Sequence, residues 1–258
     1  MLFASPAMAE CPDQAGDSEL DVVTFNAWGL PAPIAKRRRS RLPQISNWLN
    51  EQGYDVVGLQ EVWRGALPML SLDRLFAPPS PQGDSGLALY SRLNVRQSSI
   101  SHFETARGIE RLKEKGWMTS TVDVPGFGEL AVWNTHLQAQ YGDKQAKVRS
   151  RQMTQILEQA ARNPGPMVLV GDFNLYSSLD EDRITHDRIV AAGFVDVADA
   201  TGTDTLTYDQ PGEHERFDRV YVRNTDGRCL SAKAVEVIEY EEGMALSDHK
   251  PVKATFTW

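Results

Sequence analysis

Polar residues of one chemical kind recur where the β-rich runs of this 258-residue chain stop. Asn26 closes the run 20–25, Glu61 the run 55–60, and Thr135-His136 the run 129–135. Asp172, with Asn174, closes 167–170; Asp218 lies inside 216–222, and Asp248-His249 precedes the last run, 251–257. One such residue is ordinarily a turn former. A set holding Glu, two His, three Asp and two Asn is a chemical inventory, and phosphodiester hydrolysis is what it fits. Glu61 and Asn26 offer the hard oxygen ligands of a divalent cation that neutralises a phosphoryl oxygen. An imidazole oriented by a buried carboxylate can take the proton of an attacking water. His and Asn donors can meet the charge that gathers on the equatorial oxygens.

The elements that must hold these residues are short strands and two clear helices. Leu42, Ile45, Trp48 and Leu49 recur at helical spacing, and Gly53 is the expected stop. Val148, Met153, Ile156, Leu157 and Ala160 give the second helix, roughly 145–161, one apolar face. Strands are expected at 20–25, 55–60, 86–90, 117–124, 129–135, 167–170, 216–222, about 232–239, and 251–257. Short strands with few helices between them predict an α/β sandwich rather than a strictly alternating parallel fold. Strand ends of such a fold converge on one rim.

Composition narrows the classes. The chain carries 27 Lys+Arg against 35 Asp+Glu, a formal charge of −8, with 41% hydrophobic and 24% charged residues. That is the balance of a folded globular chain. No run reaches the ~18–20 apolar residues of a membrane span, so no transmembrane segment is expected. The acidic balance argues against general polyanion binding; it leaves room for a metal enzyme that meets phosphate through its cation. Residues 1–9 end in Ala7-Met8-Ala9, which fits the small-residue pattern before a signal-peptidase cut, though a basic start and a long apolar stretch are missing. They are expected to be the remnant of a signal peptide, giving a secreted or periplasmic protein; a frayed terminus is the other reading. Residues 10–18 are expected to be a loose arm and 19–258 one catalytic domain. Export would permit a Cys11–Cys229 disulfide; two unpaired thiols are the alternative, and spacing does not choose.

TFNAWGLP (24–31), LQEVW (59–63), NTHLQA (134–139), VGDFN (170–174), FDRVYV (217–222) and LSDHKPV (246–252) stand in the order found in the endonuclease/exonuclease/phosphatase superfamily. Six motifs in order cover nearly all of the chain after residue 19. Within the superfamily the chain most resembles the neutral sphingomyelinases, through Asn-x-Trp-Gly-Leu-Pro with a basic helix after it, Glu-Val-Trp, and His-Leu-Gln-Ala. The resemblance implies a four-layer sandwich of two mixed β-sheets flanked by helices. It implies Mg²⁺, with Mn²⁺ or Co²⁺ able to stand in, held by Glu61 and Asn26. His249 would be the general base and Asp218 its orienting carboxylate. His136 would contact the phosphoryl group, and Asp172 and Asn174 would position water and phosphate. Asp248 falls between orienting the site and completing the metal shell. Lys115, before Gly116, resembles a Lys-Gly that some family phospholipases place near the phosphate. The implied activity is cleavage of sphingomyelin to ceramide and phosphocholine by a monomer in transient contact with a membrane surface. The rivals are a secreted or periplasmic nuclease on DNA or RNA and a catalytically silent binding protein.

Other features have plainer explanations. His102, His186 and His214 have no motif around them and read as surface or loop residues. Lys36 to Arg39, with Arg41, reads as a solvated helix entrance, with anionic headgroups the sharper alternative. Trp28, Trp63 and Trp117 could touch lipid, but buried packing is the commoner fate of Trp. If His249 must be neutral to act, activity is expected to fall below roughly pH 6, near the free imidazole pKa.

Overall fold

The computed structural model describes residues 16, 18–78, 83–225, 227–240 and 245–258. The expected signal remnant and most of the 10–18 arm, including Cys11, lie outside the described residues; Cys229 is disulfide-bonded.

The first half of the chain gives β1 (Glu19–Asn26), α1 (Arg38–Gln52), β2 (Val56–Gln60), β3 (Leu75–Phe76), β4 (Ala88–Ser91), β5 (Asn94–His102), β6 (Gly116–Val124) and β7 (Gly128–His136). Then come α2 (Asp143–Ala160), β8 (Met167–Asp172), α3 (Asp180–Ala191), β9 (Val195–Asp196) and α4 (Val197–Thr201). The chain closes with β10 (Tyr208–Gln210), β11 (Glu213–Glu215), β12 (Asp218–Arg223), β13 (Ser231–Val237) and β14 (Val252–Thr257). One sheet has the order β13-β14-β1-β2-β4-β3 and the other β5-β6-β7-β8-β12-β9, with β10-β11 a separate hairpin. Both are mixed: β1 runs parallel to β2 and β7 to β8, and their other pairs are antiparallel.

Period-two alternation builds the layers. Val22, Val56, Val132, Val168, Val170 and Val220 meet in the core between the sheets. Their neighbours point outward: Val23, Phe25 and Val57 against Leu42, Ile45 and Leu49 of α1, and Trp133, Leu169 and Tyr221 against Met153, Ile156 and Ile189. The expected four-layer sandwich is what forms. Gly58 lies where the sheets approach closely, since a Cβ there would meet Val170 Cγ2 at 2.5 Å.

Several elements depart from the sequence expectation. Asp218 begins β12 rather than lying inside it, and the 86–90 run shifts to Ala88–Ser91. The edge strand β5 was not expected because its residues are polar and mostly half-exposed. Helix α3 was not expected because DEDRITHDRIVA buries only Asp182, Thr185 and Ile189, too narrow an apolar stripe to read.

One buried ion pair fastens α3. Arg149 of α2, fully buried, forks onto both oxygens of Asp182 (2.8 and 2.6 Å) and donates to Gln138 O and Gln140 O. Arg149→Ala is therefore expected to cost about 3–5 kcal/mol of stability, because it strands a buried carboxylate. Urea unfolding measures this, and a loss below about 1 kcal/mol would contradict it.

Candidate active site

The inward-facing rows of both sheets change character toward one end. On β7 the row runs Val132, Asn134, His136; on β8, Val168, Val170, Asp172; on β12, Val222, Val220, Asp218. His136 and Asp218 both stand in register with Asp172, so three strands present His, Asp and Asp side by side. The facing sheet contributes Thr24 and Asn26 from β1 and Gln60 from β2. Buried hydrogen bonds join the two: Gln60 Nε2 donates to Asn134 Oδ1 (2.7 Å) and Asn26 Nδ2 to Asp172 Oδ2 (2.9 Å). The site is the polar end of the inter-sheet core, held by rigid strands rather than by loops alone.

His249 sits in the isolated β-bridge to Tyr208, its ring against Tyr208 and Phe217. Its Nδ1 is 2.7 Å from Asp218 Oδ2, and its Nε2 lies 3.9 Å from Asp172 Oδ2. Burial alone would lower its pKa, but Asp218, Asp172 and Asp248 together raise it to about 10. Asp218 is fully buried, and its backbone N–H donates to Thr207 Oγ1. The neighbouring Arg216 and Arg219 both bind Asp196 and leave Asp218 to His249.

His136 is in the opposite state. Burial, with Lys115, Lys113 and His249 nearby, holds its pKa well below the free value, so the ring is neutral at neutral pH. Lys115 Nζ approaches His136 Nε2 at 2.9 Å, Leu137 O at 2.9 Å, and ion-pairs with Glu110. These contacts use all three ammonium hydrogens. Lys115 thus holds His136, which lies 3.3 Å from Asp172 Oδ2, and it would have to release one bond to touch a substrate.

Glu110, missed in the sequence because it lies in a charged 3-10 turn (Gly108–Leu112), is buried. Its burial pushes the pKa up, yet Lys115 and Lys113 outweigh that and bring it from 4.5 down to about 2. A carboxylate whose folded pKa is depressed stabilises the fold above its unfolded pKa, and that contribution is lost as pH falls toward the folded value. About 3 kcal/mol should therefore fade between roughly pH 5 and pH 2. Urea unfolding across that range should show a shallower pH slope in Glu110→Gln; an identical slope would contradict the assignment.

Glu61 follows β2 in left-handed backbone (φ 57°). Gly29 is required beside it, because a Cβ there would lie 2.2 Å from Glu61 O. The carboxylate is buried, its Oε2 has no hydrogen-bond partner, and burial against the pull of Lys115 and Lys113 lifts its pKa to about 7. A buried carboxylate oxygen without a partner is what a hard cation can satisfy. Asn26 Oδ1 accepts from Trp28 N (2.9 Å) and keeps a second lone pair. Asp248 is half-buried; its Oδ1 lies 3.3 Å from Ser247 Oγ, and its charge adds to the push on Glu61. Among the described residues, two groups bring carboxylate and imidazole atoms within 4.8 Å of one another: Asp172, Asp218 and His249 in the site, and His186, Asp196 and Asp199 outside it. Asn174, also left-handed (φ 50°), donates its N–H to Asp172 Oδ1 (3.1 Å) and its Nδ2 to Leu137 O (3.4 Å).

Arg41 leaves the basic cluster expected of it. Its guanidinium is buried and donates to Ala27 O, Trp28 O, Lys36 O and Leu246 O, tying the loop after Asn26 to the segment before Asp248. No periodicity marked it, because it sits in a run of exposed bases. Lys36, Arg37 and Arg39 are exposed as expected. Trp117 packs in the outer core with Nε1 on Gln159 Oε1, while Trp28 and Trp63 are half-buried. His214 is exposed, and His102 is half-buried at the end of β5. His186 lies on α3 rather than a loop, beside Asp196 and Asp199.

Residues 23–249 match the Endonuclease/Exonuclease/phosphatase family. The chain belongs to that family. Two curated members resemble it along much of its length. "Inositol phosphosphingolipids phospholipase C" of Schizosaccharomyces pombe is 27% identical over 201 residues, 70% of this chain and 46% of the relative. "Sphingomyelin phosphodiesterase 2" of Homo sapiens is 22% identical over 279 residues, 92% of this chain and 64% of the relative. The chain thus spans about half to two-thirds of the length of these relatives. Among solved structures, D. rerio TDP2 complexed with a single-strand DNA product has TM-score 0.74 at 20% identity, covering 94% of this chain and 100% of that one. A mutant beta toxin from Staphylococcus aureus with bound magnesium ions has TM-score 0.71 at 17% identity, covering 93% and 100%. At such identities the structures speak to fold alone.

Proposed function

We propose that this family member is a divalent-cation-dependent phosphodiesterase of the phospholipase C type that cleaves sphingomyelin to ceramide and phosphocholine. The observation that carries the chemistry is the His249–Asp218 pair beside the unpartnered carboxylate of Glu61. The names of the two curated relatives, both sphingolipid-cleaving, support the substrate class.

Asp218 fixes Nδ1 of His249 and leaves Nε2 to face Asp172, where an attacking water would lie. Water's oxygen bonds to phosphorus, its proton passes to Nε2, and the bond from phosphorus to the ceramide oxygen breaks, that oxygen regaining a proton from solvent. His136, neutral, can offer one N–H to the phosphoryl oxygens, and Lys115 behind it adds positive charge where they gather charge. Glu61 and Asn26, with Asp248 beside them, would hold Mg²⁺, which when bound polarises a phosphoryl oxygen. Secretion or periplasmic export, action as a monomer and a single catalytic domain over 19–258 belong to the same proposal.

The test is headgroup release from sphingomyelin vesicles with Mg²⁺, with EDTA as control and inositol phosphosphingolipid and plasmid DNA assayed in parallel. Cation-dependent phosphocholine release with intact plasmid is expected. Nicked plasmid without phosphocholine would assign the chain to the nuclease side of its family.

A further inference from the structure

Six large hydrophobic side chains are exposed among the described residues, and three of them stand on two hydrogen-bonded loops, one leading to Lys115 and the other following His136. Ile109 (59% exposed) and Leu112 (84%) lie on the 3-10 turn Gly108–Leu112, and Tyr141 (59%) on the loop after β7. The two loops are bound together: Arg107 N donates to Gln138 Oε1 (2.8 Å), and Gln138 Nε2 donates back to Arg107 O (3.3 Å). Leu112 is three residues from Lys115, so its backbone lies within about 10 Å of the lysine that holds His136. The flanking cations Arg107 and Arg111 are exposed, on a chain whose net charge is −8. With Arg151 of α2 they line one open groove, shared with Glu104 and Glu114.

Single exposed hydrophobics need no explanation, but an apolar cluster with a basic rim is the composition of a surface that lies in the boundary between lipid headgroups and chains. Aliphatic side chains enter the acyl boundary while guanidinium groups meet phosphates. A protein partner would use the cluster less well, since its apolar residues stand on a narrow turn rather than a broad flat patch. We infer that the turn Gly108–Leu112, with Tyr141, is the membrane-docking edge of this protein, and that it seats the mouth of the site on a phospholipid bilayer. The inference deepens the proposed lipid substrate and rests on that reading for its purpose, but not for its test.

The test is co-flotation with phosphatidylcholine/phosphatidylserine vesicles that contain no sphingolipid. Wild-type protein, Ile109→Ser/Leu112→Ser and the control Val190→Ser, exposed at the far end of α3, are compared. Turnover of soluble bis(4-nitrophenyl) phosphate reports whether each variant keeps its site. The double variant is expected to bind vesicles at least about tenfold more weakly with unchanged soluble turnover, and Val190→Ser to bind like wild type. Equal vesicle binding by the double variant, or none by wild type, would overturn the docking edge whatever the substrate. A wild-type dimer that the double variant dissociates would reassign the cluster to a second copy of the chain. Loop-dependent binding without phosphocholine release would leave the edge standing and remove the proposed substrate instead.

Discussion

Replacing His249 with alanine is expected to lower kcat/KM by about 10³-fold or more, the scale of losing a positioned general base. Asp218→Asn should fall short of that, because the imidazole stays while its orienting charge is lost. The pH profile separates the two roles. A base must be neutral, so kcat/KM should rise with pH through the pKa of His249. Asp218, Asp172 and Asp248 raise that pKa to about 10 in the metal-free chain, against burial. The acid limb is therefore expected above the free-imidazole value, not near pH 6 as the sequence alone suggests. A cation held at Glu61 adds opposing charge, so raising Mg²⁺ should move the limb toward lower pH. Asp218→Asn should move it the same way. A profile that is flat from pH 5 to 8 with chemistry limiting would contradict the assignment.

Glu61→Gln is expected to weaken divalent-cation affinity by at least about 10²-fold, with a matching loss of activity at fixed Mg²⁺. Stability should move the other way when no metal is present. Burial lifts the Glu61 pKa from 4.5 to about 7, so ionising it costs the fold free energy that grows as pH rises from about 4.5 through 7. Near pH 8 the metal-free Gln variant should be more stable than wild type by up to about 3 kcal/mol, and Mg²⁺ should stabilise wild type only. Calorimetric titration and thermal unfolding with and without Mg²⁺ measure both. Equal affinity in the two proteins would place the cation elsewhere, with Asp172 and Asp218 the next candidates.

Much of this site is visible in the alternation of the strands. Positions 22, 24, 26 and 168, 170, 172 share a parity, so once Val22 and Val168 are taken inward, Asn26 and Asp172 must face the same gap. The strand ends therefore name the inward set directly. What is not visible depends on long-range partners. Glu110 looks like one more charge in GIERLKEK, and only the fold pairs it with a buried Lys115. Arg41 looks like part of a solvated run until the backbone carbonyls of residues 27, 28 and 246 converge on it. Lys115 resembles a phosphate ligand by motif, whereas its hydrogens are spent on His136, Leu137 and Glu110. Helix α3 is held by Arg149 and Asp182, a contact between residues 33 apart that no local pattern encodes.

The central claim is that water bound beside His249 attacks phosphorus and expels the lipid oxygen. Hydrolysis of sphingomyelin in water enriched in the heavy oxygen isotope, with mass analysis of both products, tests it most directly. The label is expected in the phosphate of phosphocholine and not in ceramide, with both products lost in His249→Ala. Label in ceramide, or release of free choline, would contradict it.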